Sequence, residues 1–184
     1  MATIQLTFTY SEYDYLQYYL YYASTSQQQK KALWYNRWLW AFVFLVLGAC
    51  CRLWELNMTA LFFVAVAITW FLFYPYRHRA RYKQHYQDHI KRTCIQNMER
   101  QNCVRIQEDM LFITDGHSET RMPITEISGI AEITDEIFIT VKTAGAIILP
   151  KNQIQDLAEL RQLLIGISAR VNVTYTTNLE WRWN

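Results

Sequence analysis

Glycine and proline are scarce in this chain, with five and three copies in 184 residues. So few glycines leave little material for a phosphate-binding loop, and the sequence contains no Gly-rich nucleotide motif, Gly-x-Ser-x-Gly or His-Glu-x-x-His. The four cysteines form no Cys-x-x-Cys pair, which argues against a zinc site and a disulfide framework. These absences predict a protein that is not an enzyme and that holds no metal or other cofactor.

Charge is also sparse, and its distribution is uneven. The net charge of +2 is too small to indicate nucleic-acid binding. Residues 56–76 contain no charged side chain at all. As a helix this stretch would be roughly 31 Å long, which matches the hydrocarbon thickness of a bilayer. The mean hydropathy of −0.09 conceals the stretch because both flanks of the chain are polar. We therefore predict a membrane-spanning helix here.

A second apolar stretch precedes the first. Residues 38–51 carry no charge, and a span over 33–54 results if Arg52 extends its guanidinium towards water. Only Glu55 separates this span from the span over 56–76. So short a connection predicts two antiparallel helices, a transmembrane hairpin over 33–76. Folding the chain about residues 54–55 places Ala49 opposite Ala60, with Gly48 beside it, and small residues allow close helix packing in lipid.

A basic collar follows the second helix, over a juxtamembrane helix predicted for residues 77–92. This segment holds six Lys or Arg and a single acid, Asp88. With Lys30 and Lys31 ahead of the first helix, the positive-inside rule places both termini in the cytoplasm. The same cations are candidates for contact with anionic headgroups. The candidates within the collar are Arg77, Arg79, Arg81 and Lys83. His85 and His89 have the spacing of a metal pair but lack a third ligand, so we interpret them as solvated residues.

The flanking regions show other periodicities. In residues 1–32, alternation over 3–9 predicts a strand, and Ser11 with Asp14 resembles a capping box that opens a Tyr-rich helix. Residues 93–184 predict six short strands, an amphipathic helix over 153–168 and an edge strand within 170–181. The sequence leaves open whether this last strand pairs with residues 3–9. The predicted fold class is an α+β membrane protein, with a transmembrane hairpin and a small antiparallel β domain closed by a C-terminal helix.

This layout resembles the YcxB-like family of bacterial membrane proteins. The resemblance rests on the order of elements, on the run Ile147–Lys151 before the last helix, and on Pro123–Ile127 followed by Ile130–Glu132. It implies a cytoplasmic β domain similar to pleckstrin-homology-like (PH-like) folds, attached to the bacterial inner membrane. It implies no activity, and it carries no functional residue over to this chain.

The function that these features favour is a non-enzymatic binding module, anchored in the bilayer and exposed to the cytoplasm. Its expected partner is a protein of unknown identity or an anionic headgroup, with Arg100, Arg105 and Lys151 as further anion contacts. The alternative is a membrane-resident inhibitor or immunity protein that acts through the hairpin itself. Neither helix carries an interior charge or polar stripe, so a channel has little support. The oligomeric state stays open.

Overall fold

The computed structural model describes residues 4–93, 100–107, 109–115, 118–143 and 145–183. Within these ranges the protein is α+β, with four α-helices and two sheets. The helices are α1 (Glu12–Thr25), α2 (Gln27–Leu53), α3 (Asn57–Thr93) and α4 (Leu157–Val171). The strands are β1 (Ile4–Thr9), β2 (Gln101–Gln107), β3 (Met110–Asp115), β4 (Ser118–Pro123), β5 (Ile127–Glu132), β6 (Glu136–Val141), β7 (Gly145–Pro150) and β8 (Tyr175–Thr177).

The chain divides into two compact units. The hairpin unit is Tyr19–Asp88, and the β unit is formed by the chain on both sides of it. The first sheet of the β unit has the antiparallel order β1-β2-β3-β4. Ile4 pairs with Ile106, and Phe8 with Asn102. The N-terminal strand is thus hydrogen-bonded to a strand that follows the whole hairpin in sequence, so the hairpin unit is an insertion between two adjacent strands of one sheet.

The second sheet has the order β7-β6-β5-β8, and β8 runs parallel to β5. The pairing of the C-terminal strand with residues 3–9, which the sequence left open, therefore does not form. The reason is the end of α4, where Asn172 adopts a left-handed conformation (φ 54°) and turns the chain towards β5. The Ile130 N–H then donates to the Thr174 carbonyl, and the Asn178 N–H to that of Glu132.

Both sheets and α4 contribute to one hydrophobic core. Strand residues alternate inwards, so Val104, Ile106 and Leu111 are buried while their neighbours point outwards. Leu160 and Leu164 of α4 are fully buried at helical spacing. The Asp156 side chain accepts a hydrogen bond from the Glu159 N–H and caps this helix. The predicted closing helix is confirmed, although it begins at Leu157 rather than at 153.

In the hairpin unit, α2 and α3 are joined only by Trp54–Leu56. Both helices are long and apolar enough to cross a membrane, and only 11% of each apolar window is buried, unlike a core helix of a soluble protein. The collar predicted at 77–92 is continuous with the preceding apolar span, all within α3. Gly48 lies close to Ala60, as predicted: a Cβ added at Gly48 would lie 3.4 Å from the Ala60 carbonyl oxygen.

Candidate functional site

A basic and aromatic row crosses the outer face of the first sheet. Arg105 lies directly opposite Phe112, and Phe112 directly opposite Arg121, on three successive strands. The guanidinium carbons are 5.9 Å and 5.6 Å from the Phe112 ring centroid, within the range of cation–π contacts. We call these three residues the arginine–phenylalanine row.

The row has hydrogen-bond donors that suit an acidic group. The Arg121 Nε donates to Glu119 at 3.1 Å, and both side chains are well exposed. The remaining guanidinium donors of Arg105 and Arg121 have the geometry that carboxylate and phosphate oxygens prefer. Sequence reasoning singled out Arg105 and missed Arg121, because the two residues become neighbours only through the register of β2, β3 and β4.

The other two basic residues singled out in this region lie elsewhere. Arg100 is partly buried and precedes β2, and its carbonyl accepts a hydrogen bond from Asn102. The Lys151 side chain is only 10% exposed, and its Nζ lies 2.6 Å from Glu132. The same ammonium group also donates to the carbonyls of Ile133 and Thr134. Its donors are thus engaged inside the β unit, apart from the arginine–phenylalanine row.

Glu132 is the centre of a buried ionic cluster. Besides Lys151, it accepts hydrogen bonds from Arg161 and from the Tyr175 hydroxyl at 2.6 Å. Burial alone would raise the pKa of this carboxyl, but the donors from Arg161, Lys151 and Tyr175 outweigh burial and lower the pKa to about 2. The cluster joins β5, α4 and β8. We interpret it as structural, since its donors leave no site for a substrate.

Glu136 is a second buried carboxyl, and its pKa is shifted in the opposite direction to that of Glu132. Its side chain is 1% exposed, and neither carboxyl oxygen has a hydrogen-bond partner in the part of the chain that the structure describes. Burial, together with the charges of Asp14 and Asp135, raises its pKa to about 9.

Asp14 accepts a 2.7 Å hydrogen bond from the Ser11 N–H, so the predicted helix cap is confirmed. Over the described ranges, no group of three His, Cys, Asp or Glu could hold a metal ion.

A groove of about 660 Å³ runs along α3 within the hairpin unit. One end is apolar and the other carries Arg77 and Arg81 from the collar. The other two collar candidates, Arg79 and Lys83, do not line it, because residues two apart on a helix point in nearly opposite directions. The lining residues are Phe62, Ala65, Val66, Thr69, Trp70, Phe73, Tyr74, Arg77, His78 and Arg81.

A row of aromatic rings follows the same helix at four-residue spacing. Successive ring centroids from Trp70 through Tyr74, His78 and Tyr82 to Tyr86 lie 5.3, 5.8, 4.4 and 5.8 Å apart. Residues four apart share a helix face, so this repeat forms one stripe, and its members Trp70, Tyr74 and His78 line the groove.

Comparison with protein families matches residues 106–164 to the family described as YcxB-like protein. No curated protein matches the chain. One solved structure, titled "Structure of the Spt16D Pob3N heterodimer", aligns with 47% of this chain at 18% identity and a TM-score of 0.35. The chain spans about half (53%) of that solved chain, and a TM-score this low supports no argument about fold or function. The resemblance to the YcxB-like family, first based on the order of elements and short motifs, is thus confirmed by the match over residues 106–164.

Proposed function

We propose that this protein is a non-enzymatic binding module whose β unit is anchored in a membrane by the hairpin of α2 and α3. The observation that carries the proposal is the insertion of this hairpin between β1 and β2, which are hydrogen-bonded neighbours. The apolar side chains of the hairpin are largely exposed, with Phe62 and Phe73 more than 60% accessible. Exposed apolar surface on this scale needs a partner, and lipid is the one that its length fits.

The proposed placement of the termini within the cell rests on the distribution of charge. The cations before α2 and the collar after the apolar part of α3 favour the cytoplasmic side for both termini, in the bacterial inner membrane. The β unit would then be cytoplasmic. A four-stranded sheet and a second sheet, closed by a C-terminal helix, are the arrangement expected of a PH-like domain, and we propose that fold for the β unit.

The contact surface that the geometry favours is the arginine–phenylalanine row. Two guanidinium groups on either side of an aromatic ring offer charge and an apolar surface together, which suits an acidic protein segment or an anionic headgroup. Lys151 is excluded from the proposed surface because Glu132 neutralises it. Chemistry on a substrate is not part of the proposal, since Glu132 is held by three donors and Glu136 is buried.

The test uses the full-length chain in nanodiscs of neutral lipid, titrated with phosphatidylglycerol vesicles and with an acidic peptide. Wild type should bind one of these probes, and Arg105→Gln with Arg121→Gln should weaken binding by about five-fold per arginine. Arg170→Gln is the matched control, since Arg170 is also exposed but lies on α4, paired with Asp109. Binding to neither probe, or an equal loss in the control, would contradict the proposed surface. A chain that stays soluble without detergent would contradict the anchor.

Exchange of the two apolar spans for an unrelated helical hairpin separates this proposal from the alternative. Binding by the β unit should survive the exchange if the hairpin is only an anchor. If the cellular phenotype of the protein depends on the native helices, the membrane-resident inhibitor is the better description. The exposed groove on α3 is the feature that favours this second function.

A further inference from the structure

We infer that the groove on α3 is a binding site for a single anionic phospholipid. One acyl chain would lie along the apolar end and the phosphate would lie between Arg77 and Arg81. The inference rests on the proposed membrane placement of the hairpin, but it is independent of the arginine–phenylalanine row and of the β unit.

The apolar end has the dimensions of one leaflet. From Phe62 to Phe73 the helix rises by about 16 Å, which is half of the roughly 30 Å hydrocarbon core. Ala65 and Val66 lie between them on the groove wall, and their small side chains leave the space open. The groove volume of about 660 Å³ lies inside the range of pockets that hold a ligand.

The cationic end lies where a headgroup would be. Arg77 and Arg81 are one turn apart on the same face, about 6 Å along the axis, so both guanidinium groups can donate to one phosphate. Both arginines are exposed, and within the described residues neither takes part in an ion pair. An anionic group is therefore the natural complement of this end.

The apolar part of the groove wall also contains a buried hydrogen-bond donor. The Trp70 indole N–H is buried and has no hydrogen-bond partner among the residues described. It lies about 10 Å towards the apolar end from Arg77. The order along α3 is an apolar wall followed by paired arginines, which is the order of tail and phosphate along a phospholipid.

Other occupants match only part of this surface. An apolar helix from another protein, or from a second copy of this chain, would cover Phe62 to Phe73 but leave both arginines without a counter-charge. Free phosphate would satisfy the arginines and leave the apolar wall empty. An amphipathic anion fills both ends, and the membrane supplies it at high local concentration.

Native mass spectrometry of the detergent-solubilised full chain tests the inference, with phosphatidylglycerol and phosphatidylcholine of identical tails as probes. Phosphatidylglycerol should bind about ten-fold more tightly, and Arg77→Gln and Arg81→Gln should each weaken it about five-fold. Arg79→Gln is the matched control: it removes one charge from the same collar, outside the groove, and should change the affinity less than two-fold.

A second pair of variants tests the apolar end. Ala65→Trp places a bulky ring in the groove and should weaken the binding of phosphatidylglycerol at least five-fold. Leu72→Trp adds the same bulk to an exposed position outside the groove and should have little effect. Circular dichroism of each variant shows that the helices are retained.

Several outcomes would overturn the site. Equal affinity for the two lipids, or an equal loss from Arg79→Gln and Arg77→Gln, would mean that the collar attracts anions without a defined groove. Competition by inorganic phosphate at similar affinity would identify a free anion as the ligand. A second copy of the chain bound in place of lipid would identify a dimer interface. These results would leave the anchor proposal intact, whereas a chain that is soluble without detergent would remove the anchor itself.

Discussion

Arg37 replaces a hydrogen bond that Pro75 removes from α3. Pro75 lies inside the helix and has no N–H, so the carbonyl four residues earlier, that of Phe71, loses its usual helical donor. The Arg37 Nε of α2 donates to this carbonyl at 3.0 Å. The guanidinium carbon also lies 3.8 Å from the centroid of the Phe71 ring. We predict that Arg37 and Pro75 are energetically coupled even though they lie on different helices.

The magnitude follows from what Arg37→Met removes. The substitution keeps an apolar stem but loses the donor to the Phe71 carbonyl, at about 1–3 kcal/mol, and the cation–π contact, at about 0.5–2 kcal/mol. Pro75→Ala restores the helical N–H to the same carbonyl. In that background Arg37→Met should lose only the cation–π part. The double-mutant cycle should therefore give a coupling energy of about 1–3 kcal/mol.

The assay is equilibrium unfolding of the full-length chain in mixed micelles, followed by far-ultraviolet circular dichroism. Four proteins are compared: wild type, the two single variants and the double variant. Leu72→Met is a control for adding a methionine at an exposed position of the same unit. If Arg37→Met costs the same free energy with Pro75 and with Ala at that position, Arg37 does not serve the carbonyl that proline releases, and the reasoning is refuted.

Three further predictions concern single positions. Glu132→Gln should destabilise the β unit by about 3 kcal/mol in urea unfolding, because Lys151 loses its counter-charge. In wild type this stabilisation is present above pH 4.5 and is lost as the pH falls towards 2. A variant as stable as wild type at pH 7 would contradict the prediction. The pKa of Glu136 shifts in the opposite direction, from 4.5 to about 9, so the free energy of unfolding should fall as the pH rises between these values. Glu136→Gln should abolish this pH dependence and stabilise the protein by up to about 3 kcal/mol at pH 7. Gly48→Ala should be tolerated because its Cβ would lie 3.4 Å from Ala60 and Phe63, whereas Gly48→Leu should separate α2 from α3, which cross-linking between the helices would detect.

The hairpin was predictable because its signal is local. A run without charge between Leu56 and Tyr76 and the short connection at Glu55 define two antiparallel helices without any long-range information. The end of α3 agrees with the helix predicted over 77–92, but its continuity with the apolar span was not predictable in the same way. Apolar and basic segments differ in composition, yet both favour helix, so α3 continues to Thr93 even though Pro75 removes one of its hydrogen bonds.

The sheet partners and the candidate site depended on information that a linear pattern does not contain. Alternation predicts that residues 3–9 form a strand, but it does not say which strand lies beside it, and β2 was the partner rather than the C-terminal segment. Arg105 and Arg121 are far apart in sequence and meet only because Phe112 lies between them in register. Lys151 was interpreted as an exposed cation because Glu132, its ion-pair partner, is distant in sequence and no local pattern connects the two residues.

The insertion of the hairpin unit between β1 and β2 affects how the first sheet can form. Ile4 pairs with Ile106, so the chain between them forms a loop that must close before the strands can pair. The entropy lost on closing a flexible loop of that length costs about 2 kcal/mol more free energy than closing a loop ten times shorter. Once α2 and α3 have paired as an antiparallel hairpin, most of the intervening chain is no longer flexible, and the effective loop is reduced to the residues outside the two helices. Formation of the hairpin therefore reduces the entropy that β1 loses when it joins β2. An anchor at one end of the chain would hold the β unit at a membrane equally well, but it would contribute nothing to closing this sheet.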